Sequence, residues 1–112
     1  MTVKSSTGLR NYVLDTGSVK SALDNSVIRL YGGTVPADAD AAESGTLLAT
    51  ITVNNSGTPV TFNSAADSGV LAKNSGEVWS GLVITGGTCT HYRIVKPSDS
   101  GSNSSTDIRV QG

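Results

Sequence analysis

From residue 27 onward the chain breaks, about every ten residues, into short β-type runs set apart by turn-forming residues. Nothing between those runs is patterned as a crossover helix. Parallel neighbours need a crossover of about a dozen residues or more, usually a helix. The strands are therefore expected to pair antiparallel, and this restriction sets the fold class. VIRLY (27–31) is rich in β-branched and aromatic residues and stops at Gly32-Gly33. TLLATITV (46–53) alternates, with Leu47, Ala49, Ile51 and Val53 toward one side and Leu48, Thr50 and Thr52 toward the other. Asn54-Asn55-Ser56-Gly57 makes a turn. Residues 58–62 continue as a short strand, which Pro59 confines to an edge or a strand start. A brief run at 68–73 ends on Asn74-Ser75-Gly76. Residues 77–84 alternate again, Val78, Leu82 and Ile84 on one face and Trp79 and Val83 on the other. Gly86-Gly87 reads as a hairpin into 88–96, and a last strand covers 107–111. The expectation is mainly β, an antiparallel β-sandwich of about seven strands. The segment PADADAAE between the first two strands reads as an ordered loop with room for one helical turn.

The first 25 residues follow a different period. Leu9, Tyr12 and Val13 fall at i, i+3, i+4, and Val19, Ala22 and Leu23 repeat that spacing. Ser6 or Thr7 can cap the first stretch and Thr16 or Ser18 the second, with Gly17 between them. Two short helical turns or one broken helix are predicted. Neither is long enough to hold without docking its apolar side on the domain's own core or on a neighbouring subunit. The chain of 112 residues is one domain, 1–112, with a helical segment at 1–25 and strands over 26–112.

Charge and small polar residues narrow the function classes. Charged residues make up 15% and the formal net charge is −1, while about a quarter of the chain is Ser plus Thr. Disorder normally couples low hydrophobicity to high net charge, which is not the case here. The eight Lys and Arg are scattered, so no nucleic-acid footprint is expected. No apolar run approaches the length of a membrane span. The opening MTVKSSTGLRNYV lacks the apolar core of a secretory signal, so assembly in a cytoplasm is expected. The single Cys89 cannot form an internal disulfide and reads as a half-buried thiol in a strand.

No catalytic or metal-binding constellation stands out, and no cofactor is expected. His91 is the only histidine, inside a predicted strand, and reads as structural or surface-exposed. Cys89 and His91 share a face, but no other Cys or His exists to complete a zinc site. Asp38, Asp40 and Glu43 miss the spacing of a calcium loop and read as a solvated acidic face. The glycine pairs lack phosphate-loop spacing. Trp79 alternates away from Val78 and Leu82, so it points either into a subunit contact or under a covering element.

Several segments, taken together, resemble a family of small virion structural proteins of tailed bacteriophages. STGLRN (6–11) and SVKSAL (18–23) are similar to its opening, and VIRLYGG (27–33) to a strand of the form RIYSG. TVPADADAA (34–42) followed by GTLLATI (45–51) resembles its PA-ADAA--GTLL element, and SGEVWSG (75–81) its SG-A-W element. YRIV (92–95) and IRVQG (108–112) are similar to its closing strands, W-R-V and I-G-VG, although Tyr92 stands where Trp or Phe is common. The resemblance implies a non-enzymatic component of a phage particle, located in the virion, whose partners are copies of itself and other virion proteins. A head decoration or minor capsid protein is the leading expectation; a neck, collar, tail or tail-fibre subunit is the alternative. A host-surface carbohydrate-binding module centred on Trp79 is a reading from another class. Leu9, Tyr12, Val13, Trp79 and Tyr92 are the expected interface residues.

Overall fold

Ser6 opens the first helix as its position predicts. In the computed structural model, which describes residues 2–112, its hydroxyl accepts the Leu9 N–H at 3.1 Å and starts helix α1 (Thr7–Asp15). Helix α2 (Val19–Leu23) begins with a reciprocal capping box between Ser18 and Ser21. The Ser6 hydroxyl also donates to the Asp107 carbonyl at 2.7 Å and accepts the Arg109 N–H at 2.9 Å, so one side chain ties the N-terminal segment to the end of the chain. From the outside, the Asp40 carboxylate accepts the Thr7 N–H at 2.7 Å and the Thr7 hydroxyl at 2.6 Å. A carboxylate there satisfies an unpaired N–H and complements the helix dipole. Thr7's hydroxyl and N–H accordingly hold the Asp40 carboxyl below the usual carboxylate range.

The strands are β1 (Lys4–Ser5), β2 (Val27–Gly32), β3 (Thr46–Val53), β4 (Trp79–Ser80), β5 (His91–Val95) and β6 (Arg109–Gln111). They form one antiparallel sheet in the order β1-β6-β5-β2-β3-β4. Where a sandwich would place a second sheet, helices cover one face and loops the other. Runs 58–62 and 68–73, expected as strands, contribute single bridges such as Ser26–Val60 and Phe62–Lys73. The predicted hairpin across Gly86-Gly87 does not pair with itself. Its first arm joins β3, and its second arm, β5, inserts between β2 and β6, where partners on both sides satisfy more of its backbone. The turn after β3 is as expected: Asn54 and Asn55 both adopt left-handed backbone, φ 52° and 54°.

Register divides the sheet into two unlike faces. Ile28 pairs with Ile94 and Ile94 with Val110, and this face receives the helices. Leu9, Ala22 and Leu23 are buried there against Tyr12, Phe62, Ile94, Ile108 and Val110. The opposite face carries Val27, Arg29 and Tyr31 beside Val95, Arg93 and His91, with Arg109 and Gln111 on β6. Arg93, Arg109, His91 and Gln111 are all buried, under the loops 34–45 and 97–104.

Buried charges are costly unless they are paired and hydrogen-bonded. The Arg109 guanidinium meets the Asp99 carboxylate in a two-pronged contact, Nε to Oδ2 at 2.7 Å and Nη2 to Oδ1 at 2.8 Å. It also donates to the carbonyls of Ala39 at 3.2 Å, Asp40 at 3.3 Å and Ser102 at 2.7 Å. Arg93 donates to the Asp38 and Ala41 carbonyls at 3.2 and 2.7 Å and to Gln111 at 3.0 Å, while Gln111 donates to the Pro36 carbonyl at 2.9 Å. Residues 36–42 thus lack ladder partners of their own, and side chains from β5 and β6 satisfy their carbonyls. Arg29 treats the second loop alike, donating to the Asp99 and Pro97 carbonyls at 2.8 and 3.1 Å.

Leu9→Ala should cost about 2–4 kcal/mol in urea denaturation, the usual loss for a buried leucine. A second expectation concerns acid. Burial pushes the Asp99 carboxyl up, but hydrogen bonds from Arg109 and the Gly101 N–H, with the Arg109 charge, hold it below its ordinary value. Its stabilising contribution is therefore complete above the unfolded value of about 3.9 and is lost as pH falls through the lower folded value. Denaturation curves from pH 7 down to strong acid should show that loss, and Asp99→Asn should flatten it while costing about 3–5 kcal/mol at neutral pH.

Candidate interaction surface

One cluster outside the Arg109 network gathers groups that could do chemistry. On β5 the His91 ring stacks on Tyr31, centroids 5.4 Å apart, and its Nε2 lies 2.9 and 3.0 Å from the two Glu43 oxygens. Its Nδ1 is 2.9 Å from the Thr90 hydroxyl. A hydroxyl, an imidazole and a carboxylate in series is the order of a hydrolase relay. The surroundings suit holding rather than reacting: the His91 side chain is wholly buried and Glu43 almost so. The Thr90 hydroxyl lies 2.8 Å from the Gly33 carbonyl, to which it donates its proton. Arg93 Nε adds an ion-pair contact to Glu43 at 3.6 Å, and burial lowers the guanidinium from its usual value against the opposing pull of Glu43. The cluster clamps the second half of the 34–45 loop. Glu43 and Asp40 therefore do not form the solvated acidic face expected of them; each is drawn in by a donor set far away in sequence.

The sequence-selected residues separate into covered and open ones. Leu9 lies in the helix-face core, and Tyr12 packs against it with its hydroxyl 3.2 Å from Ser21. Tyr92 lies against Gly112, where its ring and hydroxyl occupy the space a Cβ would need, and the two residues exchange backbone hydrogen bonds of 2.8 and 3.1 Å. Val13 is exposed, together with Leu14 and Val19, and with Ser5, Leu9 and Arg10 they line an apolar groove of about 340 Å³. A second groove of about 460 Å³ on the loop face is floored by Val27, Arg29, Tyr31, Thr50 and Thr52. Cys89 is exposed and precedes its strand rather than sitting within it.

Trp79 is held by a cluster of side chains near it. The indole N–H donates to Glu77 at 2.9 Å, Phe62 meets the ring edge-on at 5.6 Å, and the Lys73 ammonium lies 5.9 Å from its centroid. Glu77 in turn accepts the Thr61 hydroxyl and N–H at 2.6 and 2.9 Å, and these bonds hold its carboxyl below the usual range. Trp79 is thus half-buried in a local cluster. Val78, Leu82 and Ile84, expected together on one face, stand 62%, 69% and 67% exposed, and Val83, expected on the face of Trp79, stands at 71%. The expected alternation therefore does not appear in burial, and Trp79 is covered where Phe62 packs against it.

These four aliphatic side chains sit on the last strand-like segment of the sheet. Trp79 and Ser80 pair with Val53 and Thr52, and Val83 bridges to Ala49. Gly81 passes so near β3 that a Cβ would lie 2.2 Å from the Thr50 carbonyl oxygen, so only glycine permits the approach. From Val78 through Thr90 there is no charged side chain. Sheet edges are usually blunted by Lys, Pro or inward charges; this one has none of them. An uncharged, apolar, open edge is the surface of this molecule best suited to a macromolecular partner.

Among the described residues no helix is long and apolar enough to cross a membrane, and no group of three His, Cys, Asp or Glu is arranged to hold a metal ion. No protein-family model matches the chain, and no curated protein and no solved structure is significantly similar to it.

If Trp79 is held as described, Trp79→Ala should destabilise the isolated protein by about 2 kcal/mol or more, through lost packing on Phe62. Thermal or urea unfolding that leaves the variant unchanged would show instead that the ring contributes nothing until a partner arrives.

Proposed function

We propose that this chain is a non-enzymatic structural component of a bacteriophage virion, a head decoration or minor capsid protein that stabilises the particle through subunit contacts. The family reading rests on the sequence resemblance spanning 6–112. The observation that carries the assembly role is the uncharged 78–84 edge, whose four aliphatic side chains are left to solvent. The rigid clamp of loops 34–45 and 97–104 onto the sheet supports the same reading, because a load-bearing subunit gains from having few mobile parts. Each copy would bridge neighbouring capsid subunits, and many weak contacts repeated on a lattice add up by effective concentration. A neck, collar or tail location would use the same edge with fewer copies. The glycan-binding reading draws no support from Trp79, which is half-buried against Phe62 with the Lys73 ammonium over its ring.

Quantitative mass spectrometry of virions carrying the protein separates the locations: copies on the order of hundreds fit a head lattice, whereas about 5 to 12 fit a ring at the neck or tail. Virions lacking it should lose tolerance to heat or low salt, and added protein should restore that tolerance while Leu82→Lys should not. Particles that are unaffected by its loss would overturn the stabilising role.

A further inference from the structure

The outermost strand of the sheet has an open backbone as well as open side chains. Ile84 donates its N–H to the Leu48 carbonyl at 2.8 Å. In an antiparallel pair, when the neighbouring residue makes the ladder bond, the intervening residue's own N–H and C=O point the other way. The N–H and C=O of Val83 therefore face away from β3, toward solvent, at a position where its side chain is exposed as well. An exposed edge with free donors and acceptors is a template for another strand.

We propose that segment 78–84 pairs edge-to-edge with the same segment of a second copy, across a two-fold axis, continuing the six-stranded sheet into its neighbour. The inference rests on reading this edge as the assembly surface and names its occupant. Three features favour a second copy over a charged partner. The segment carries no charge from Val78 through Thr90, so two copies approach without repulsion and a charged surface finds no counter-charge. Antiparallel pairing of a strand with itself is isologous, so each copy supplies to the other the donors and acceptors it lacks. The area suits a weak contact: four aliphatic residues about two-thirds exposed offer at most on the order of 400 Å² per copy, or about 800 Å² for the pair, below the roughly 1,000–1,200 Å² at which specific interfaces begin. A contact of this size gives a weak, concentration-dependent dimer in solution that strengthens when many copies are held side by side.

Sedimentation equilibrium of the full chain over a wide concentration range tests this. Wild type should shift from monomer to dimer as concentration rises. Val83→Lys and, separately, Leu82→Lys should weaken the association at least 10-fold while keeping the wild-type circular dichroism and melting temperature, since both side chains are solvent-exposed. Leu14→Lys, on the helical surface, should dimerise like wild type. A chain monomeric at millimolar concentration, Lys variants that associate as well as wild type, or loss of association in Leu14→Lys alone would each overturn the edge pairing. Should the edge variants lose fold, isotope-edited NMR of mixed labelled and unlabelled wild type decides: cross-copy contacts between Val83 residues support the pairing, and their absence in the dimer defeats it. The dimer measurement is independent of the particle assays, so a monomeric chain that still stabilises virions would sink this proposal alone.

Discussion

The fold depends on a guanidinium placed where a hydrophobic side chain would ordinarily sit. Arg109 is completely buried on a strand three residues long, and it joins Asp99, the 39–40 carbonyls and the Ser102 carbonyl into one contact set. A planar group with five donors can do this where a lysine could not. The chain is poor in large apolar residues, and so cannot cover both faces of its sheet with them. One face takes the small helix-packed core, and the other is closed by loops whose peptide groups are satisfied by arginines. Stability on that second face is of the high-stakes kind: fully bonded it is rigid, and removing one member exposes the others to a dry, uncompensated environment.

The same division explains which parts of the structure could be read from the residues. Features set by neighbours in sequence were visible: the caps at Ser6 and Ser18, the extents of β2 and β3, and the Asn-rich turn after β3. Features set by distant donors were not. Glu43, Asp40 and Asp99 look like ordinary surface acids, and nothing local in PADADAAE or PSDSG announces that His91 and Arg93 will draw in Glu43, that Thr7 will bind the Asp40 carboxylate, or that Arg109 on β6 will take Asp99. The pairing of β5 between β2 and β6 was hidden for a similar reason, because Gly86-Gly87 offers a plausible local hairpin that loses to longer-range partners. At 77–84 the expected alternation is not seen in burial: only Trp79–Ser80 is strand, and Val78, Leu82, Val83 and Ile84, from both faces, are all exposed. Trp79 is covered because Phe62, on a segment with almost no ladder of its own, packs against it.

The candidate surface was partly legible. Trp79 drew attention as the lone tryptophan, yet it anchors the edge from behind rather than presenting it. A second signal in the residues was the absence of charge from Val78 through Thr90 beside exposed aliphatic side chains. Gly81 adds to it, since its missing side chain lets the segment pass close to β3. Covering by arginine on one face and exposure of aliphatics at one edge are thus related outcomes of the same shortage of core area.

The pairing of β1 with β6 has a mechanical meaning. Lys4 faces Gln111 across the sheet and Ser5 faces Val110, so the two ends of the domain lie side by side at one margin. The bonds between them run perpendicular to the strands, in line with any pull that separates those ends. Tension entering there loads one rung at a time, like a zipper, and that ladder is only two residue pairs long.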